Sequence, residues 1–286
     1  RLRPDPRLDE HRPLACRRRC AMIPDHARAN FQTLLREGLQ DRAAEVGGVE
    51  LQVEDAQTDV AKQLNQVNNF IAAGVDAMIV TLADTSAAPG ISQAAADAGI
   101  PLVYLNLQPA NVDSLPATQA YVGSAEADSG RLGAEAACEL LKVRGKQDDG
   151  QAYLLMGDLA HEATRERSQA AKDALSAGDC KGVTIADEQP AAWQRTNALD
   201  LTTNWITSGR PIDLVMANND EMAIGAIQAL KAAGTLMQDV VVVGIDATQD
   251  GLAAMRRELE GYWTQTLTTF KHLAEQAYAE EGNPPS

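Results

Sequence analysis

From Asp213 to Gly234 the chain reads DLVMANNDEMAIGAIQALKAAG, and this stretch decides the fold. The apolar run Leu214 to Ala217 stops at three polar residues, Asn218, Asn219 and Asp220. A helix-period pattern begins at once and closes at Ala233 and Gly234. A short continuous apolar run bounded by turn residues reads as a strand buried on both faces, the habit of strands in a parallel sheet covered by helices. Two amides and a carboxylate at the end of such a strand need a reason, either as helix caps or as ligands to something outside the sheet.

The same rhythm runs outward in both directions. FQTLLREGLQDRAAEV, from Phe31, carries an apolar stripe at Leu34, Leu35, Leu39, Ala43 and Val46, so it is expected to be helical. VELQV alternates as a strand does. Thr58 is placed to cap a helix through Val60, Leu64, Val67 and Ile71 that ends at Gly74. DAMIVTL and IPLVYLN read as buried strands flanking a helix from about Ser86 to Ala98. Leu107 to Thr118, with two prolines and no period, reads as a crossing between domains. Beyond it, AYVGS, QAYLLMG, GVTIAD, DLVMA and DVVVVGID alternate with helices near 126–142, 162–176, 195–207 and 221–233. Strand–helix alternation implies parallel sheets with crossover helices. GVDAMIVTLADTSA…ADAGIPLVYLN runs parallel to PIDLVMANNDEMA…KAAGTLMQDVVVVGID, which points to two domains of like topology.

Bulk properties narrow the function. The 286 residues suit two ordinary domains, and 45% hydrophobic content suffices for packed cores. A net charge of −15 argues against a nucleic-acid partner, which would call for basic patches. No apolar run is long enough to span a membrane. Residues 1–30 stand apart, with eight Arg, no Lys, four acids and four Pro, and read as an irregular basic arm without the apolar core of a signal peptide. The four cysteines form no C-x-x-C pair and no metal-ligand spacing with histidine. Cys138 and Cys180 are open to two readings, a disulfide in an oxidising compartment or two buried thiols.

In open α/β sheets, ligands bind beyond the carboxyl ends of the strands. Asp84, Asn106, Asn219 and Asp246 all fall there. Asn both donates and accepts, and Asp accepts from two hydroxyls, which suits a neutral, polyhydroxylated ligand. Helix capping competes for each of these residues, and Asp220 fits a cap best. Trp193, between a strand and a helix, could stack on a sugar ring or simply pack. Arg165, one turn into a helix, could present its fork to hydroxyls, whereas Arg167 beside it reads as an ordinary solvated arginine. The nucleotide-binding, hydrolase and zinc-protease motifs are absent, no nucleophile sits beside a local base, and no catalytic residue, cofactor or metal is expected.

NNDEMAIGAIQALKAAG followed by VVVVGIDATQDGLAAM resembles the periplasmic sugar-binding proteins of ABC importers, of the ribose- and galactose-binding type. VEDAQTDVAKQLNQVNNFIAAGVDAMIV and AGIPLVYLN are most similar to the inositol- and rhizopine-binding members. The resemblance covers about Phe31 to Gln265. It implies a type I periplasmic binding fold of two Rossmann-like lobes with parallel sheets joined by a hinge, over 31–118 with 266–286 and over 119–265. It also implies closure on one sugar or cyclic polyol, a monomer in the periplasm, and delivery to a membrane permease. Matched by position, Asn106, Arg165, Trp193, Asn219 and Asp246 would hold the ligand, Gln265 would be the hinge glutamine, and Phe31 the first-lobe stacking aromatic. Leu107 stands where the family commonly has an arginine. The family's apolar first strand is not recognisable in the Arg-rich arm, which leaves the first lobe expected to be short of its central strand and less stable than the second. The alternative is the ligand-sensing domain of a LacI-type repressor, which needs a helix-turn-helix that residues 1–30 do not suggest.

Overall fold

The computed structural model describes residues 18–24, 30–260 and 271. They form an α/β protein with two parallel sheets, one in each of two compact units. The first unit extends to Ser124 and includes Ala160–Glu162. The second comprises Ala125–Leu159 and the chain from Ala163 onward.

In the first unit, β1 (Arg18–Ile23), β2 (Val49–Val53), β3 (Ala77–Val80), β4 (Leu102–Leu105) and β5 (Gln119–Val122) pair in the order β2-β1-β3-β4-β5. Helices α1 (Asn30–Val46), α2 (Val60–Ala73) and α3 (Ala88–Asp97) connect them. The expectation of an irregular arm over residues 1–30 is corrected here. Arg18–Ile23 is a strand, and it lies inside the sheet, paired with β2 on one side and β3 on the other. Three adjacent arginines argue against a buried strand only if the whole strand is buried. Here burial is graded: Arg18 and Arg19 are exposed, Cys20 is intermediate, and Ala21, Met22 and Ile23 are fully buried. Arg19 also helps to fix the sheet. Its backbone N–H donates to the Asp76 carboxylate at 2.8 Å, and its guanidinium donates to the Gly74 carbonyl at 2.9 Å. Gly74 is the left-handed residue (φ 65°) that closes α2.

The boundary drawn at residue 118 is also corrected. Gln119–Val122 pairs with β4 over four positions and completes the first sheet, so Leu107 to Thr118 is a connection within that unit. The crossing falls after Ser124. The cap of α2 is Asp59, whose carboxylate accepts from the Lys62 N–H at 2.9 Å, and not Thr58.

The second unit contains α4 (Glu126–Val143), β6 (Gln151–Met156), α5 (Glu162–Ser176), β7 (Thr184–Pro190), α6 (Arg195–Thr207), β8 (Leu214–Ala217), α7 (Asp220–Ala232) and β9 (Val241–Val243). Residues 249–260 are helical. The strand order β7-β6-β8-β9 repeats the order of the first four strands of the first sheet. Side chains alternate across this sheet, which explains the continuous apolar runs. Leu154, Leu214 and Met216 pack on one face with Ala134, Ala137 and Leu141 of α4 and Ala171 and Leu175 of α5. Tyr153, Leu155, Val215 and Ala217 pack on the other with Ala198 and Trp205 of α6 and Met222 and Ala226 of α7. Cys138 and Cys180 form a disulfide that ties α4 to the turn before β7. Among the described residues, no helix is long and apolar enough to cross a membrane. Gln265, and all of the helix expected after Thr266 except Lys271, which is helical, lie outside the described residues.

Candidate functional site

Backbone conformation marks one end of the sheets. Among the described residues, the non-glycine residues with positive φ are Gln57, Thr58, Asn106, Ala192, Trp193, Asp246 and Ala247. Each follows the carboxyl end of a parallel strand: β2, β4, β7 or β9. Left-handed backbone is unfavourable for such residues and collects at sites where the surroundings hold it for a purpose. It is also the end of the sheet at which ligands bind, beside the point where strand order reverses. In the second sheet that point lies between β6 and β8.

The residues that end β6 and β8 are tied together there. The Asn218 Oδ1 accepts from the Gly157 N–H and from the Ser168 hydroxyl, each at 3.1 Å. The Asn218 carbonyl accepts from Arg167 Nη1 at 2.6 Å. Arg167 Nε donates to Glu126, and Nη1 also reaches Asp246 Oδ1 at 3.4 Å. The guanidinium carbon lies 5.8 Å from the Trp193 ring centroid, within the range of a cation–π contact. The indole rests on Gly157, where a Cβ would come within 2.2 Å of a ring carbon. Only glycine lets the ring approach β6 this closely.

Next along the chain, Asn219 caps α7, its side chain accepting from the Met222 N–H at 3.0 Å. The cap expected at Asp220 is therefore corrected to its neighbour. Asp220 turns instead into the unit, where its Oδ2 accepts from the Thr248 N–H at 2.7 Å and the Thr248 hydroxyl at 2.9 Å. Gly244 and Gly251 leave room for that carboxylate, since a Cβ at either would lie within 2.6 Å of an Asp220 oxygen. Burial pushes the Asp220 carboxyl upward, against the Thr248 bonds that pull it down.

Asp246 follows β9 with φ 108°. Burial pushes its carboxyl up to about 7. The Arg167 guanidinium opposes the rise, and the charges of Asp220 and Glu126 add to it. One cation thus serves three carboxylates, and Asp246 holds its proton near neutrality.

The structure brings Trp193 and Asp246 together around Arg167, with Asn219 adjoining. Arg165 makes no bond to the residues of this cluster. It is exposed, and its Nη1 donates to the Leu159 carbonyl at 3.3 Å. The reading of Arg167 as a solvated arginine is corrected, because it is 8% exposed and bonded on every side described above. The helical period could have found it. Ala163, Thr164, Arg167, Ser168, Ala171 and Leu175 form the buried stripe of α5, and Arg165 falls opposite. Glu126 was also missed, and no local pattern marks it; Asn218 stood out at the end of its strand, but its tie to Gly157, Arg167 and Ser168 could not be read there. In the first unit, Asn106 follows β4 with φ 71°, its N–H donating to the Val122 carbonyl at 2.8 Å and its carbonyl accepting from the Tyr121 hydroxyl at 3.0 Å. Leu107 is buried, and Phe31 is half-buried at the start of α1. No group of residues suited to hold a metal ion occurs among those described.

The sequence profile of the periplasmic binding protein domain matches residues 20–279. The chain belongs to this family. A Rhizobium meliloti protein named for rhizopine binding is 56% identical over 225 residues, covering 79% of this chain and 71% of that protein. An ABC transporter solute-binding protein from Bacillus halodurans, solved with bound myo-inositol, is 36% identical with a TM-score of 0.76, covering 84% of this chain and 80% of the other. A Caulobacter myo-inositol binding protein, also solved with myo-inositol, is 27% identical with a TM-score of 0.74, over 85% and 79%. In this periplasmic binding protein the family match begins at Cys20, inside β1, so it takes in the strand that the Arg-rich sequence concealed.

Proposed function

We propose that this periplasmic binding protein is a receptor for a sugar or cyclic polyol of the inositol and rhizopine kind, and that it hands the ligand to an ABC import permease. The observation that carries the reading is the juxtaposition of Trp193, a flat apolar face, with Asp246, a hydroxyl acceptor, at the carboxyl ends of β7 and β9. A cyclic polyol has the complementary surfaces, an apolar ring face and a rim of hydroxyls. Structural neighbours solved with myo-inositol, and a relative named for rhizopine, support the same class. Exposed Arg165 adds donors for hydroxyl oxygens. Asn219 keeps its amide donors available beyond the capping oxygen. Phe31, Asn106 and Gln265 are proposed ligand contacts on the family resemblance alone. The protein works as a monomer in the periplasm and releases its ligand unchanged. The repressor alternative draws support from none of these relatives.

Calorimetric titration with myo-inositol, rhizopine, D-galactose and D-ribose tests the reading. Saturable binding of a polyol or sugar, with the ligand recovered chemically intact, is the expected result. Absence of binding across the panel, or recovery of altered ligand, overturns it.

A further inference from the structure

Asp246 sits in an unfavourable backbone conformation and an unfavourable electrostatic one, so something must hold it there. Its carboxylate is faced by charged groups from three elements: Arg167 on α5, Glu126 at the start of α4, and Asp220 at the start of α7. Asp220 is already engaged by Thr248. Arg167 is the group that makes a bond to Asp246, and Arg167 is itself fixed by Glu126 at Nε and by the Asn218 carbonyl at Nη1. The Arg167 and Glu126 side chains are each 9% exposed, so neither can swing into water. α4 and α5 touch at Gly130, where a Cβ would lie 2.1 Å from the Arg167 carbonyl oxygen, and this fixes the backbone from which the guanidinium extends. The geometry points to Glu126 and Arg167 as positioning residues, which hold the Asp246 carboxylate at the end of β9 where ligand hydroxyls would meet it. This inference rests on the receptor reading for its purpose but not for its geometry.

The two residues act on Asp246 with opposite signs. The guanidinium favours the ionised carboxylate, and the Glu126 charge disfavours it. Removing the guanidinium therefore makes Asp246 keep its proton to higher pH, and neutralising Glu126 lets it ionise at lower pH. A residue that merely fills space would move neither. Hydroxyl donors prefer the ionised form, so affinity should fall as pH drops below about 7.

The test uses the full chain with carbon-13 in its aspartate carboxyls, the Asp246 signal being assigned by its loss in Asp246→Asn. In ligand-free protein, Asp246 should titrate near neutrality, at higher pH in Arg167→Met and at lower pH in Glu126→Gln. Titration as an ordinary carboxylate in all three proteins, or shifts of one sign in both variants, overturns the proposal. If Arg167→Met fails to fold, Glu126→Gln decides alone, since glutamine keeps an acceptor for Nε. With myo-inositol as probe, Arg167→Met should weaken binding by about tenfold or more, and Arg167→Lys should recover part of the loss. Failure of the wild type to bind myo-inositol would count against the receptor reading for that ligand and leave the titration to decide the positioning roles. Normal affinity in Arg167→Met overturns them.

Discussion

Asp246, proposed as a ligand contact, carries a stability cost at the end of its strand. Its folded-state proton affinity, about 7, lies well above the ordinary 3.8. A carboxyl raised on folding contributes stability that is fully present below its unfolded value and is lost as pH rises through the folded one. The window here runs from about 4 to about 7. Asp246→Asn should therefore be more stable than the wild type at pH 8, on the order of 1–3 kcal/mol, and close to it at pH 4. Denaturant midpoints at both pH values check this, and an equal difference at the two would contradict it. Ligand affinity should move the other way: Asp246→Ala should lose about 2–4 kcal/mol of binding, seen in the same calorimetry as above. Gly157 makes a second residue-scale case, since a methyl there would meet the Trp193 ring at 2.2 Å. Gly157→Ala should displace the indole, destabilise the second unit by about 1–3 kcal/mol and change tryptophan emission. An unchanged spectrum with unchanged stability would show that the ring does not rest on β6. The strand-end placement of Asp246 and Trp193 was legible in the sequence because each follows a recognisable strand. Arg167 was missed for want of applying the helical stripe to a charged residue, and Glu126 because its partner lies 41 positions away.

At the scale of elements, most of the chain could be read directly, since apolar runs and 3.6-residue stripes are local signals. β1 was the exception. The sequence run Arg17 to Arg19 overlaps the start of a strand, Arg18–Ile23, whose last three residues alone are fully buried, so the burial is too short to write a period. Pairing on both sides explains why so short a segment is ordered as a strand, with Met22 registered against Val53 and Ile79. Met22 is 0% exposed, and Met22→Ala should destabilise the first unit by about 2–5 kcal/mol, a loss that thermal unfolding would reveal. A variant as stable as the wild type would mean that β1 is dispensable. The disulfide is an element-scale constraint of another kind. Spacing left it undecided against two thiols, because whether two helix-and-turn cysteines meet depends on how α4 packs against the turn that carries Cys180. It closes a separation of 42 residues, so replacing Cys138 and Cys180 with alanine should lower the stability of the second unit by about 2–4 kcal/mol. No difference between this variant and the wild type under oxidising conditions would count against the bridge.

The whole molecule repeats one plan. Both sheets are parallel, and each sets its first strand between the second and third, β1 in one and β6 in the other. That repetition could be read from the paired sequence stretches, whereas the crossing between units could not, because β5 looks like the start of the second rhythm and pairs as the end of the first. The shared plan carries a consequence for stability. A sheet without its inner strand would leave its neighbours with unpaired N–H and C=O groups, and the sequence alone suggested that condition for the first unit. With β1 in place, β3 is bonded on both sides as β8 is, and among the described residues β2 is an edge strand as β9 is. Amide protection tracks local opening, so strands of equal standing should exchange at comparable rates. Ala77–Val80 should therefore match Leu214–Ala217, and Val49–Val53 should match Val241–Val243, in native-state hydrogen exchange followed by peptide mass. If β3 exchanged far faster than β8 while β2 and β9 agreed, the inner strand would be opening independently of the rest of the sheet. If both first-unit strands exchanged fast, the Arg-rich segment would not be holding that sheet together.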